Sequence, residues 1–208
     1  MPNAEQILTG LKEISNTWRI LAVFWHVYFA AVVITLILGA RYKKRFAGIL
    51  LLLPLLSVSI VAWISSNPFN GLVYALISIL LVVISFKLPR ENIQIAPLWI
   101  AIPGILIFIF GWIYPHFLNT SSFLSYLYSA PTGLIPCPTL SIVTGLALIL
   151  NGLNSRSLLI VLGIPGLFYG ITGVFQLGVK IDLILLLGAL MTIILAFVQK
   201  LSPRTRVK

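Results

Sequence analysis

Long stretches without Asp, Glu, Lys or Arg limit the folds open to this chain more than any other feature. They run from Ile20 to Ala40, from Phe46 to Phe86, from Asn92 to Ser155 and from Ser157 to Val179. A helix needs about 20 apolar residues to cross a bilayer, so these stretches hold one, two, two and one crossings. The shorter apolar segment Leu183 to Gln199 adds a last one. The chain is therefore predicted to be all-α, a polytopic membrane helical bundle of about seven transmembrane helices.

The whole of 1–208 is predicted to form a single integral membrane domain. The predicted spans are 18–40, 46–65, 69–87, 96–118, 138–153, 157–178 and 181–199. Before them, residues 4–15 have the spacing of an amphipathic helix, with Leu8 and Leu11 on one face and Glu5 and Lys12 elsewhere. We expect this helix to lie flat on the membrane surface. Hydrophobic residues make up 60% of the chain and charged residues 9%, against about 25% charged in soluble domains, which excludes a water-soluble fold.

The basic residues predict the orientation. With seven spans, eleven of the fourteen fall on one side of the membrane, and only Lys12, Arg19 and Lys180 on the other. The eleven are Arg41, Lys43, Lys44, Arg45, Lys87, Arg90, Arg156, Lys200, Arg204, Arg206 and Lys208. Cytoplasmic loops carry the excess of Lys and Arg, so the chain is predicted to lie in the cytoplasmic membrane with its N-terminus outside and its C-terminus in the cytoplasm.

Several classes of protein are excluded or disfavoured. The net charge of +10 does not indicate nucleic acid, because the basic residues form short clusters between spans, where they meet anionic lipid. A single cysteine excludes an internal disulfide and a cysteine-rich metal site. The N-terminus has no basic region of the kind that opens a cleavable signal. The last span has no interior lysine for a retinal Schiff base, and no motif indicates a reaction, so we expect no enzyme.

The fourth loop, roughly 119–137, is long and uncharged, with an apolar surface rich in Phe, Leu and Tyr. We expect it to dip into the outer membrane face or to cap the bundle. It ends in Pro136-Cys137-Pro138, where two prolines remove two backbone donors and oppose helix. One interpretation is a thiol on non-helical backbone beside a wet cavity, able to bind a soft ion such as Cu(I). The other is a helix that begins here, preceded by a buried, inert cysteine.

Two histidines complete the candidate ligands. His26 lies inside the first predicted span, where ionisable groups often serve function, although a neutral histidine bonded to a neighbouring helix is equally consistent. His116 ends the fourth span, where it fits an interface anchor. The topology puts His26, His116 and Cys137 in the outer half, and two His with one Cys suit copper or zinc. No Asp or Glu lies deep in a span, since Asp182 sits at the outer edge of the seventh, which argues against a carboxylate-based proton pump.

Two weaker patterns concern the later spans. An offset of 111 places Arg45 on Arg156, Pro54 on Pro165 and His26 on Cys137, and it favours a weak 3+1+3 parallel repeat of the kind some carriers use. Pro165, among the many glycines of the sixth span, predicts a bend in that helix. Close packing of small residues explains the glycines.

The chain resembles a family of uncharacterised prokaryotic multi-pass membrane proteins that is known only as a domain of unknown function. The resemblance rests on Gly133-Leu134-Ile135-Pro136-Cys137-Pro138-Thr139 opening a late span, on Asn67-Pro68, Tyr114-Pro115 and Ile164-Pro165, on Gly173 and on Asp182. The first span departs from the family pattern at Trp25-His26. This resemblance implies a type of protein and no activity.

Three functions fit these observations. The first is a bundle that binds or transports a small solute or ion from the outer side, and it is motivated by the long outer loop, the broken fifth span and the bent sixth span. The second is a non-catalytic accessory subunit of a larger membrane complex, and the third is a membrane thiol or metal enzyme. The expected partners are the lipid bilayer and either further copies of this chain, as a homo-oligomer, or other membrane subunits. The sequence leaves any cofactor unknown.

Overall fold

The computed structural model describes residues 3–198, and within them the chain is helical apart from its connections. The α-helices are α1 (Ala4–Thr17), α2 (Arg19–Ile37), α3 (Lys44–Ile64), α4 (Pro68–Lys87), α5 (Leu98–Ile113), α6 (Tyr126–Ser129), α7 (Pro136–Ile149), α8 (Arg156–Ile171) and α9 (Leu183–Val198). This confirms the all-α class and the short helix before the first span. The predicted cytoplasmic tail from Lys200 lies outside the described residues.

Five helical segments are long and apolar enough to cross a membrane. They are Arg19–Ile37, Lys44–Ile64, Pro68–Lys87, Arg156–Gln176 and Lys180–Val198. Their outward faces carry large apolar side chains such as Ile37, which is 78% exposed, and Phe175, which is 75% exposed. A face of this kind is suited to lipid rather than to water. The two remaining apolar helices, Leu98–Ile113 and Pro136–Ile149, are shorter than a full crossing.

The shortest of these apolar helices, α7, forms the centre of the bundle. Every one of its 14 residues except Cys137 and Ile149 is buried. It begins at Pro136, because proline at the first helical position loses no hydrogen bond and has its φ preset. Cys137 and Pro138 therefore lie inside the first helical turn, and the expectation that the prolines hold Cys137 out of regular helix was wrong. The predicted fifth span, 138–153, begins two residues too late and ends four residues too late.

Glycines bring α5 and α7 into backbone contact. A methyl group added at Gly145 would lie 2.6 Å from the Gly104 carbonyl oxygen, and one added at Gly111 would lie 2.8 Å from Cα of Ile142. Both distances are far below an ordinary carbon contact, so only glycine allows the two helices to approach this closely. The helix after α7 is packed in the same way, since Gly166 of α8 lies against Ala189 of α9.

The connections sort into two ends of the bundle. At the end that we call the basic end, formed by residues 38–43, 88–97 and 150–155, hydrogen bonds join separate connections. Lys44 N donates to Glu91 O at 2.8 Å, and Ala96 N donates to Ile149 O at 2.9 Å. At the α1 end, formed by α1 with residues 65–67, 114–135 and 177–182, Asn119 N donates to the Asn16 side chain at 2.8 Å. These bonds join the connections of the basic end to one another, and α1 to the long connection 114–135.

The long connection at the α1 end enters the bundle. Residues 129–136 are all buried. Between the end of α6 at Ser129 and the start of α7 at Pro136, this segment is not in a regular helix. Their polar groups are satisfied by protein, since the Thr132 hydroxyl donates to Gly111 O and Gly133 N donates to the Thr139 hydroxyl, both at 2.8 Å. Non-helical backbone at membrane depth requires such partners. The loop that was expected to dip into the outer membrane face or to cap the bundle thus inserts between the helices and leads into α7. We call residues 114–135 the inserted loop.

A turn of unusual handedness follows α7 at the basic end. Asn151, Gly152, Leu153 and Asn154 all have φ between 52° and 57°. This left-handed conformation costs energy for any residue with a Cβ, most of all for an apolar one such as Leu153. The Asn151 side chain donates to the Asn154 side chain at 2.8 Å, and Leu153 is buried. The turn ends α7 early and sends the chain back into α8.

Candidate ligand-binding site

Asp182 is the one acidic side chain in the interior. The chain has four acidic residues, and Glu5, Glu13 and Glu91 are exposed, whereas Asp182 is only 1% exposed. It closes a short turn, Lys180–Asp182, directly before α9. The free backbone N–H groups at the start of a helix and the helix dipole favour a negative charge at that position.

Tyr114 holds the carboxylate of Asp182 from the end of α5. Its hydroxyl donates to Asp182 Oδ1 at 2.7 Å, and Tyr114 is itself fully buried. A hydrogen bond to a charged acceptor is roughly twice as strong as one between neutral groups. The bond joins residues 68 positions apart in the chain, so it fixes the end of α5 against the start of α9.

Cys137 joins the same group from the first turn of α7. Its side chain interacts with both the Asp182 carboxyl and the Tyr114 hydroxyl. The thiol is therefore a neighbour of the buried carboxylate and not an isolated apolar group. Pro136 and Pro138 start the helix that presents it, which is the role the structure assigns to those two prolines.

Gly173 makes room for the second carboxylate oxygen. A Cβ at this position would collide with Asp182 Oδ2 and would lie 2.9 Å from Asp182 Cγ. Gly173 is part of a π-helical turn, Thr172–Gln176, that ends α8. Single π turns occur mostly inside helices, often at functional sites. Pro165, at which the sequence predicts a bend, lies earlier in α8.

A second polar pair lies beside this group. The Tyr169 hydroxyl of α8 donates to the Asn70 side chain of α4 at 2.7 Å. Tyr74 packs with its ring centroid 5.7 Å from that of Tyr169 and is fully buried. Both tyrosines belong to the buried cluster against which Cys137 packs. The interior at this end of the bundle is thus lined by a carboxylate, a thiol, an amide and three phenols.

Such a group of side chains can bind a proton or a cation. A buried carboxylate is stable only when it is protonated, well hydrogen-bonded or paired with a positive charge. Tyr114 supplies one hydrogen bond to it, and Gly173 leaves Oδ2 facing bare backbone. Carboxylate and amide carbonyl oxygens are ligand types that hard cations accept.

His26 lies elsewhere and is engaged by backbone. Its Nδ1 lies 2.8 Å from the carbonyl oxygen of Ala22, and its Nε2 lies 3.0 Å from that of Trp112. Carbonyl oxygens occupy the directions in which a metal would bind either nitrogen. His26 therefore links α2 to α5, as expected from the interpretation in which it bonds to a neighbouring helix.

His116 lines a shallow pocket of about 350 Å³ between α1 and the inserted loop. Glu5, Lys12 and Tyr126 also line it. Burial lowers the pKa of His116 below its usual value of 6.5, and the positive charge of Lys12 adds to this effect. Its ring packs edge-on against Phe117, with the centroids 4.3 Å apart.

A shared metal site gains no support from these positions. Within residues 3–198 no three His, Cys, Asp or Glu side chains form a group able to hold a metal ion. His26, His116 and Cys137 are thus not brought together as three ligands. The residues that do meet Cys137 are Tyr114 and Asp182. The sequence analysis named Tyr114 only as part of a resemblance, and it placed Asp182 at the outer edge of the seventh span.

Comparison with protein-family models, curated proteins and solved structures gives no match for this chain. The resemblance to the uncharacterised prokaryotic family therefore stays a prediction.

Proposed function

We propose that this chain is a seven-span protein of the cytoplasmic membrane that binds a small cation from the outer side, at Asp182. The N-terminus is outside and the C-terminus in the cytoplasm. The basic end then faces the cytoplasm, and α1 with the inserted loop covers the outer mouth of the site. Helices α5 and α7 supply the two crossings that are shorter than usual, and the inserted loop extends α7 toward the outer surface.

The topology is supported by the distribution of charge over the two ends. Seven of the eleven basic residues on the predicted cytoplasmic side lie between residues 41 and 156, in or beside connections that the hydrogen bonds place together. The test is a Thr205→Cys variant in a Cys137→Ser background. A membrane-impermeant thiol reagent should leave it unlabelled in intact cells, and labelling there would contradict the orientation.

The binding proposal rests on one observation. The carboxylate of Asp182 is buried to 1% exposure where four helices meet. Asp182 receives one phenolic hydrogen bond, its carboxyl also interacts with the Cys137 thiol, and Oδ2 packs against the bare backbone of Gly173. Burying an unpaired charge is costly, and a structural acid would gain more from an Arg or Lys partner. A site that has a carboxylate and no resident basic partner is suited to an exchangeable positive charge.

The binding test uses the full-length protein in detergent. A ligand that binds only the folded state raises the thermal midpoint by mass action, so the midpoint is measured against increasing Na⁺, K⁺, Mg²⁺, Ca²⁺ and Cu⁺ at constant ionic strength. We expect a saturable rise for one of these cations, absent in Asp182→Asn and retained in Glu13→Gln, a control whose carboxylate is exposed. Equal rises in the two variants, or no rise in the wild type, would contradict the proposal.

A further inference from the structure

One face of α4 carries polar side chains along almost its whole length. Asn70, Tyr74, Ser78 and Ser85 are all buried, and they follow at intervals of four, four and seven residues. These intervals keep them on one side of a helix. From Asn70 to Ser85 the helix rises about 22 Å, which is most of the roughly 30 Å thickness of a hydrocarbon core.

Three of these side chains, and one on α7, carry a hydroxyl that has no hydrogen-bond partner. The atoms are Tyr74 Oη, Ser78 Oγ, Ser85 Oγ and, on α7, Thr144 Oγ1. Each is shielded from the outside, since none of these residues is more than 3% exposed. Buried polar atoms are nearly always bonded in native proteins, either to protein or to ordered water.

Other buried hydroxyls of the same bundle behave differently. Ser141 and Thr192 turn back and donate to the carbonyl four residues earlier, at 2.8 Å and 2.7 Å. Ser59 donates across to Gly71 O at 2.8 Å. Protein partners of this kind are open to any helical serine. The hydroxyls of Tyr74, Ser78, Ser85 and Thr144 have neither kind of bond.

The unpartnered hydroxyls of α4 cover successive depths. At the rise of an α-helix, Tyr74, Ser78 and Ser85 lie about 6, 12 and 22 Å along the axis from Asn70.

The two ends of this row have different surroundings. At the inner end, a Cβ on Gly48 of α3 would collide with Ser85 Oγ, so the hydroxyl packs directly against the backbone of that glycine. At the outer end, the row meets the Asn70–Tyr169 pair and the neighbourhood of Cys137. A hydroxyl both donates and accepts, which is what a chain of bound waters requires of its lining.

We propose that a file of water molecules lies inside the bundle along α4, from the Asn70–Tyr169 pair to Ser85. The waters satisfy the hydroxyls of Tyr74, Ser78 and Ser85 and join the Asp182 site to the basic end. Such a file gives protons a polar route between that carboxylate and the opposite side of the membrane. The hydration itself rests on the unpartnered hydroxyls and holds whether or not Asp182 binds a metal cation.

The first test compares thermal midpoints of serine-to-alanine variants. A dry, unpartnered hydroxyl destabilises the fold, so Ser78→Ala and Ser85→Ala would then raise the midpoint. A hydrated hydroxyl loses a water bond on substitution, and the midpoint should stay level or fall. Ser59→Ala, which removes a protein partner, is the control and should fall. A rise in both Ser78→Ala and Ser85→Ala would overturn the water file.

The second test measures water directly, in proteoliposomes of the Cys137→Ser protein. Thiols react as thiolates, which form only where water solvates them. Ser78→Cys should react with 2-aminoethyl methanethiosulfonate at least about tenfold faster than Ser59→Cys, whose parent serine is buried to the same 3%. Ser85→Cys gives the same comparison if Ser78→Cys fails to fold. Equal rates at the two buried positions would contradict the proposal, while the cation titration of Asp182 is unaffected by this outcome.

Discussion

Gly173→Ala should damage the candidate site while leaving the helices in place. The added methyl would collide with Asp182 Oδ2, and it would lie 2.9 Å from Asp182 Cγ and 3.0 Å from Asp182 Cβ. Ordinary contact begins at 3.4 Å, so the carboxylate has to move by at least about 0.5 Å. A movement of that size along the bond to Tyr114, now 2.7 Å, brings it to the limit of a hydrogen bond, about 3.2 Å.

The expected loss of stability follows from two opposing contributions. Losing a hydrogen bond to a charged group costs about 1.5–3 kcal/mol. Alanine in place of glycine in a helical turn returns about 0.5–1 kcal/mol. The free energy of unfolding should therefore fall by about 1–2 kcal/mol, which for a chain of this size lowers the thermal midpoint by about 2–8 °C.

The assay is thermal unfolding in detergent, followed by the cation titration. Gly10→Ala is the matched control, because nothing lies within 4 Å of a Cβ at that position in α1, and it should raise the midpoint slightly. Gly173→Ala should also weaken cation binding. If Gly173→Ala unfolds at or above the wild-type midpoint and binds equally well, the contact between Gly173 and Asp182 does not shape the site.

Three further predictions concern packing, charge and pH. Gly145→Ala should force α5 and α7 apart and cost about 1–3 kcal/mol, measured as a lower thermal midpoint, and an unchanged midpoint would show that the helices are not in backbone contact. Glu91→Ala removes the ion-pair partner of the buried Lys44, whose Nζ lies 2.8 Å from Glu91 Oε2. Because Glu91 is exposed, the free energy of unfolding should fall by about 1 kcal/mol rather than by the larger cost of breaking a buried pair. An unchanged free energy of unfolding would mean that water already satisfies Lys44. The pKa of His116 is lowered in the folded state, first by burial and then by Lys12. The stability contributed by the neutral side chain is therefore complete above pH 6.5 and is lost as pH falls through the lowered pKa. The thermal midpoint should fall between pH 8 and pH 5, less so in His116→Gln, and equal pH dependence in both proteins would refute this.

Helix positions followed from the sequence because apolar length and charge mark where lipid begins and ends. The helix before the first span was predicted from the spacing of Leu8 and Leu11, and its start is strengthened by a reciprocal cap between Asn3 and Gln6. Asp182 could not be judged in the same way. Its place in the chain, just before an apolar run, predicts the membrane edge, but its burial depends on Tyr114 and Gly173, which come from other parts of the chain.

The histidines show the other limit of a single sequence. The sequence analysis gave two roles to His26, and only the positions of Ala22 O and Trp112 O decide between them. Those oxygens come from backbone, which carries no residue-specific signal. Cys137 was singled out for its prolines, yet its neighbours Tyr114 and Asp182 are separated from it by 23 and 45 positions, and spacing alone does not predict that they meet.

The burial of α7 has a consequence for how the protein is made. A helix of 14 residues rises about 21 Å and exposes almost no side chain to lipid. On its own it therefore gains little by moving from the translocation machinery into the bilayer. Its stabilising contacts come instead from α5 and from the helices that follow it. We infer that α7 packs into the bundle only after α8 and α9 have been synthesised. A chain truncated after Asn154 would then expose an unpacked α7 to the quality-control proteases of the membrane.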